Sequence, residues 1–209
     1  RGFDVFVGVD SPDFHMPIAR ELRRRGLRTV GYVSPQLWAW RPGRAPAVAT
    51  AYDRLLCLFA FETALYAGTG LDARWVGHPA VDRVVPSRRE PGVVALFPGS
   101  RPAEVARHLG TFVTAARGAR EVLIAGASGV DRQPIPGARW VDSGEALARA
   151  DRAISKSGTV TLELAMARIP FIVAHRVHPI TWWIGRALVR GVRHLALPNV
   201  LAGREVVPE

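Results

Sequence analysis

Two residue types are almost missing from this 209-residue chain. Lys156 is the only lysine among 28 basic residues, the rest being arginine, and Cys57 is the only cysteine. A single thiol excludes an internal disulfide framework. Its setting, Leu55-Leu56-Cys57-Leu58-Phe59, reads as a buried small hydrophobe and fits a cytosolic compartment. Apolar runs of about 18 residues are missing too, which excludes a membrane-spanning helix in this sequence. There is no internal repeat and no low-complexity tract. The arginines are spread along helix-length segments rather than interleaved with aromatics, a pattern that excludes the usual nucleic-acid modules. Arg1-Gly2-Phe3-Asp4 leads straight into an apolar strand without an initiator Met or a leader, so the sequence reads as cut from a longer chain.

What is present is enough apolar sequence, 48%, to bury a real core. The formal charge of +10 favours anionic partners such as phosphates or an acidic membrane face; an arginine-favouring genome is the plainer reading. Short β-rich runs alternate with helix-length segments, the mark of an α/β fold with parallel strands and helices on both faces. Strands are predicted near 5–9, 29–33, 54–59, 74–76, 93–97, 121–124, 139–141, 153–155, 170–174 and 194–197. Helices are predicted near 15–25, 61–67, 103–117, 144–149, 159–167 and 179–190. The Pro- and Arg-rich stretch Asp82–Gly92 breaks the rhythm. The domain plan is therefore an incomplete N-terminal Rossmann-like domain over 1–83, a linker over 84–92, and a C-terminal Rossmann-like domain over 93–209.

Ligands of such sheets sit beyond the carboxyl ends of the strands, so the strand-to-helix turns are where chemistry belongs. In Phe97-Pro98-Gly99-Ser100-Arg101, Gly99 permits close backbone approach, Ser100 can cap the helix and bond an oxyanion, and Arg101 offers a bidentate fork for phosphate. The helix start adds partial positive charge. An ordinary capped helix, with Ser100 and Glu104 as a loose pair, explains this turn equally well when it is taken alone. In Ser155-Lys156-Ser157-Gly158-Thr159, hydroxyls and free amides open a second helix, and Glu163 shares a face with Thr159, suited to ribose hydroxyls. Two such turns on neighbouring strands form a diphosphate-and-ribose cradle. In Val9-Asp10-Ser11-Pro12-Asp13, Asp10 is the candidate general base, a role worth about 10²–10⁴ in rate, with bracing of the turn as its plainer alternative, and Asp13 reads as an N-cap. His78, in Val76-Gly77-His78-Pro79, reads as structural.

Two further segments stand out. In Leu197-Pro198-Asn199-Val200-Leu201-Ala202-Gly203-Arg204-Glu205, polar residues are set among apolar ones. Asn199, Arg204 and Glu205 suit base or sugar contacts, with a plain surface loop as the alternative. On the helix predicted over 179–190, Ile180, Trp183, Ile184, Ala187 and Leu188 form a core stripe. Trp182, Arg186 and Arg190 lie on another face that suits anionic headgroups, and a cation–π pair on a watery surface fits comparably.

In order along the chain, "VGVDSPDF", "YVSPQLWAWRPGR", "VGHP", "LFPGSRPAEV", "SGTVTLE" and "LPNVLAGREVVPE" resemble lipid-A-disaccharide synthase, an inverting glycosyltransferase family of the GT-B type. "YVSPQLWAW" and "LPNVLAGRE" are the specific markers; "PGSR" and "SGTVTLE" alone fit several nucleotide-sugar enzymes. The resemblance implies two Rossmann-like units facing each other across a cleft, the first on the acceptor side and the second holding the UDP-sugar. It implies transfer of 2,3-diacylglucosamine from UDP to 2,3-diacylglucosamine 1-phosphate, giving a β-1,6 disaccharide and UDP with no metal or other cofactor required. Peripheral attachment to the cytoplasmic face of the inner membrane and a homodimer follow from it as well. Carried over by motif, Asp10 would deprotonate the acceptor hydroxyl. Arg101 would stabilise the departing diphosphate, with Ser100 and the backbone of the Ser157-Gly158-Thr159 turn assisting, and Gly99 and Glu104 would be among the residues that bind UDP. Glu163 would hold ribose, and Asn199, Arg204 and Glu205 would join the donor pocket. The family's glycine-rich opening segment with its acidic residue and its helices beyond Glu209 are not in this sequence, and 125–138 has no room for the helix usual there. The competing readings are a peptidoglycan N-acetylglucosaminyltransferase, a UDP-sugar epimerase, and a non-catalytic UDP-sugar-binding module.

Overall fold

A computed structural model describes residues 2–40, 42–84, 86–176 and 194–209. Runs such as Val5-Phe6-Val7-Gly8-Val9 and Val93-Val94-Ala95-Leu96-Phe97 are too short for helices and rich in β-branched residues, and each leads a parallel sheet. The chain divides into two units, one running through Val81 and the other beginning at Asp82.

The first unit holds β1 (Val5–Val9), β2 (Arg28–Tyr32), β3 (Arg54–Cys57) and β4 (Asp72–Trp75), all parallel and in that spatial order. Helix α1 (Pro12–Arg24) returns from β1 to β2 and buries Met16 and Ala19. Between β2 and β3 lie α2 (Leu37–Trp40), a 3₁₀ turn at Pro42–Arg44 and α3 (Ala45–Ala49), none of which the periodicity predicts. The "YVSPQLWAW" segment anchors there. The Ser34 hydroxyl meets the Tyr66 hydroxyl at 2.8 Å, and the Trp38 ring stands edge-on to Phe61 at 5.5 Å. Residues Ala60–Tyr66 form a 3₁₀ helix whose buried Glu62 accepts the Phe59 N–H at 3.0 Å. Cys57, Leu55, Val48 and Tyr52 close the core.

The second unit holds β5 (Val93–Phe97), β6 (Glu121–Ala125), β7 (Arg139–Val141), β8 (Arg152–Ser155) and β9 (Phe171–Val173), parallel and ordered β7-β6-β5-β8-β9. The helices are α4 (Pro102–Ala115), α5 (Ser143–Arg149), α6 (Val160–Met166) and α7 (Leu197–Ala202). The chain winds outward from β5 to β7, then returns to the other side of β5 with β8. That reversal creates a topological switch point between β5 and β8, the crevice where open α/β sheets bind ligands. At the opposite end of the sheet Arg149 pairs with Glu90 (2.8 Å), Glu121 (2.6 Å) and Glu145 (3.3 Å). The stretch expected to act as a linker is tied down: the N–H groups of Ser87, Arg88 and Glu90 donate to Ala167, Ala148 and Arg149 carbonyls at 3.2, 2.8 and 3.0 Å.

The strand expected at 194–197 does not form. Pro198 has no N–H for a ladder and is favoured in a helix's first turn, so α7 begins at Leu197 instead. The Glu209 carboxylate accepts the N–H groups of Leu195 and Ala196 at 2.8 and 2.7 Å, satisfying the approach to that helix. The helix expected over 179–190 lies outside the described residues.

Candidate active site

Because Phe97 and Ser155 are paired across β5 and β8, the turns that follow them emerge side by side. The Lys156 N–H donates to the Phe97 carbonyl at 2.9 Å and fixes that juxtaposition. Between the turns lies a cavity of about 240 Å³, walled by Gly99, Ser100 and Glu104 on one side and by Lys156, Ser157, Gly158 and Thr159 on the other. Ala125 at the end of β6, Ala127 just beyond it, Ser143 at the start of α5 and Glu163 on α6 also line it. A wider hollow of about 780 Å³ opens in the first unit beside Asp4, Arg28 and Arg54, at the amino ends of its strands. That is the wrong end of a parallel sheet for a ligand site.

Gly99 sits at φ +129°, and a Cβ there would lie 2.6 Å from Glu104 Oε2 and 2.7 Å from Glu104 Cβ. The turn therefore demands glycine on two counts, backbone and space. Glu104, in the first turn of α4, folds back so that Oε2 accepts the Ser100 N–H at 3.2 Å. Its Oε1 meets Lys156 Nζ at 3.0 Å, with the two side chains only 17% and 20% exposed. Burial alone would raise the Glu104 pKa. The Lys156 hydrogen bond and charge, together with the Ser100 and Arg101 amides, outweigh it and hold the carboxyl below its ordinary value. Arg101 approaches the same Oε1 at 3.3 Å, is 80% exposed, and does not itself line the cavity. The cap expected from Ser100 is not made: Arg101 occupies the N-cap position in extended conformation and no side chain caps the helix.

One turn along α4, His108 is 3% exposed. Its Nε2 accepts the Arg176 N–H at 3.0 Å, so the proton is on Nδ1, which donates to the Glu104 carbonyl at 2.8 Å. The His175 ring packs 5.6 Å from it, and desolvation, then the charge of Lys156, lower the His175 pKa. Sequence reasoning gave neither His108 nor Lys156 a role. For Lys156 a signal existed, a lone lysine placed directly after a strand.

In the second turn, Ser157 Oγ donates to the Leu195 carbonyl at 2.7 Å and Thr161 Oγ1 donates to the Gly158 carbonyl at 2.7 Å. The Ser157 hydroxyl is thus engaged, leaving the turn's backbone and the exposed Thr159 facing the cavity. Glu163 stands in the wall, half-buried. The structure does not bring the "LPNVLAGRE" polar residues to this cavity. Asn199 is 0% exposed; its Nδ2 donates to the Val207 carbonyl at 2.8 Å and its Oδ1 accepts the Val206 and Val207 N–H groups at 2.8 and 2.9 Å. The ligand role expected for Asn199 is corrected to that of a brace, because its amide is spent on the chain end. Arg204 and Glu205 are exposed beyond α7 and do not line the cavity either. Trp182, Arg186 and Arg190 lie outside the described residues.

Asp10 belongs to the first unit. Asp10 (φ +52°) and Ser11 (φ +41°) are consecutive left-handed residues, a strain of about 1–3 kcal/mol each. The turn is over-determined by the Asp10 N–H donating to the Tyr32 carbonyl and by His15 Nδ1 donating to the Asp10 carbonyl, both at 2.9 Å. These backbone contacts leave the Asp10 carboxylate exposed at the carboxyl end of β1. Asp13 is not the N-cap expected of it: Ser11 holds that position, and Asp13, its side chain 86% exposed, lies 3.5 Å from Arg44.

A family model for lipid-A-disaccharide synthetase matches residues 1–124 and 140–209. The chain belongs to that family. The match skips 125–139, the β6-to-β7 connection, which carries no helix here. Curated lipid-A-disaccharide synthases of Geobacter sulfurreducens, Xylella fastidiosa and Alkalilimnicola ehrlichii are 35%, 36% and 38% identical over 99% of this chain. The chain spans 61%, 62% and 62% of their respective lengths. Among solved structures, the glycosyltransferase SnogD from Streptomyces nogalater matches with a TM-score of 0.41 and 14% identity, over 95% of this chain and 84% of that one. Among the described residues, no helix is long and apolar enough to cross a membrane.

Proposed function

We propose that this chain carries the UDP-sugar pocket and part of the acceptor side of a lipid-A-disaccharide synthase. In this reading the donor is UDP-2,3-diacylglucosamine and the acceptor 2,3-diacylglucosamine 1-phosphate. The carrying observation is the convergence of the Gly99 and Gly158 turns, with Lys156 between them, at the switch point of a sheet in a chain of this family. Backbone amides and cations meeting at that place suit a diphosphate.

The chemistry follows from the groups. The Asp10 carboxylate takes the proton of the acceptor's 6-hydroxyl, whose oxygen attacks the donor's anomeric carbon from the face opposite UDP. The bond from that carbon to the β-phosphate oxygen breaks, its electron pair stays on UDP, and configuration inverts to give the β-1,6 link. Arg101 and the two turns meet the charge that develops on the diphosphate, and Glu163 holds the ribose. Because both substrates carry acyl chains, the reading includes peripheral attachment at the inner leaflet from the cytoplasmic side. The test is disaccharide formation by the full-length protein with Asp10→Asn: a fall of about 10²-fold or more in kcat is expected, and near-normal turnover would remove Asp10 from the reaction.

A further inference from the structure

Lysine appears once in this chain, and it appears in the pocket. We propose that Lys156 grips the donor's diphosphate and that Glu104 is a resident stand-in for it, holding Lys156 and the Ser100 amide when the pocket is empty and yielding both to the ligand. The inference rests on the reading of this cavity as the UDP-sugar pocket.

The two carboxylate oxygens of Glu104 occupy places that two phosphate oxygens would take. One accepts the Ser100 N–H at 3.2 Å and the other the Lys156 ammonium at 3.0 Å. Both partners are anchored from behind. The Lys156 backbone is bonded to Phe97 in the neighbouring strand, and the Glu104 carbonyl is held by His108. The Glu104 side chain lies directly against Gly99, where a Cβ would fall 2.6 Å from Oε2, so the absence of a side chain at that position is what lets the carboxylate sit between the two turns.

Charge arithmetic favours exchange over addition. A shielded ammonium stripped of its anion is strongly disfavoured, so the pocket stays closed on itself until another anion arrives. An anion entering beside an undisplaced Glu104 would meet a carboxylate against two phosphates. Swapping one anion for the other keeps Lys156 paired throughout. Glu104 consequently competes with the donor for its own pocket and lowers the apparent affinity by the fraction of time it holds the lysine.

The experiment is calorimetric titration with UDP at several salt concentrations, with ligand-observed NMR of uridine, on the parent chain, Lys156→Met, Glu104→Gln and the double variant. Lys156→Met is expected to weaken UDP by about 10- to 100-fold and to flatten its salt dependence, with uridine unaffected. Glu104→Gln is expected to tighten UDP by several-fold. The double variant leaves no buried charge unpaired; it keeps the parent's melting temperature and still binds UDP weakly. UDP binding by the double variant equal to the parent's overturns the role of Lys156. Weakening by Glu104→Gln as large as that by Lys156→Met overturns the stand-in role. A parent chain that binds no UDP overturns the reading of the cavity itself.

Discussion

Replacing Asn199 with alanine separates a brace from a ligand contact. The truncation orphans the Val207 N–H and carbonyl, both on a residue only 8% exposed, and the Val206 N–H, on a residue 44% exposed where water can take over. Two buried orphans at about 1–3 kcal/mol each give a loss near 3 kcal/mol. For a unit of this size that lowers the melting temperature by about 10 °C. The damage reaches further along the chain end: the Pro208 carbonyl accepts the Val173 N–H at 2.8 Å, and Glu209 holds Leu195, whose carbonyl takes the Ser157 hydroxyl. Calorimetric melting of the second unit, with UDP titration well below its midpoint, gives the two readouts. The expected result is the drop in melting temperature with UDP affinity within about threefold, since no atom of Asn199 lines the cavity. An unchanged melting temperature with UDP binding lost more than tenfold would refute the bracing argument. Asn199→Asp keeps the shape but turns an oxygen toward the Val207 carbonyl, so a comparable loss of stability is expected.

Gly99→Ala forces a Cβ to within 2.6 Å of Glu104 Oε2 at φ +129°; strain and overpacking together cost about 2–4 kcal/mol, and a urea midpoint equal to the parent's would contradict it. Burial pushes the Cys57 thiol up to about 12, so a thiolate-selective disulfide reagent at neutral pH is expected to label it only as denaturant opens the first unit; rapid native labelling would count against that core. Arg149 is the main cause of the lowered carboxyl values of Glu90 and Glu121, and Arg139 of that of Glu145. A carboxyl depressed by folding contributes stability above its unfolded value and loses it as pH falls through the folded one. Stability is therefore expected to decline as pH drops below the ordinary 4.5, and less steeply in Arg149→Met. Parallel acid-denaturation curves for the two proteins would rule the cluster out as a cause.

Much of the fold is legible along the chain, because β-branched runs and helix-length spacers repeat without ambiguity; nine of the ten predicted strands form. The tenth failed at Pro198, where one missing N–H outweighs the alternation of His194-Leu195-Ala196-Leu197. The short helices around Trp38 and Val48 carry too few turns to show a period. Both phosphate-type turns are visible as sequence, but the pairing of Glu104 with Lys156 is not. It depends on β8 returning to the side of β5, a neighbour relation that spacing does not encode. Capping was misread at Ser100 and Asp13 for a related reason: residue type permits a cap, but backbone angles decide it. Asn199 misled because a polar residue among apolar ones is what both a binding group and a buried brace look like from sequence.

The scarcity of lysine gives the pocket a chemical address. With arginine in place of every other lysine-type cation, Lys156 carries the one side-chain amine in this chain. An acylating reagent or an amine-directed cross-linker therefore has a single side-chain target, and its rate of reaction reads directly whether that pocket is open, closed on Glu104, or filled.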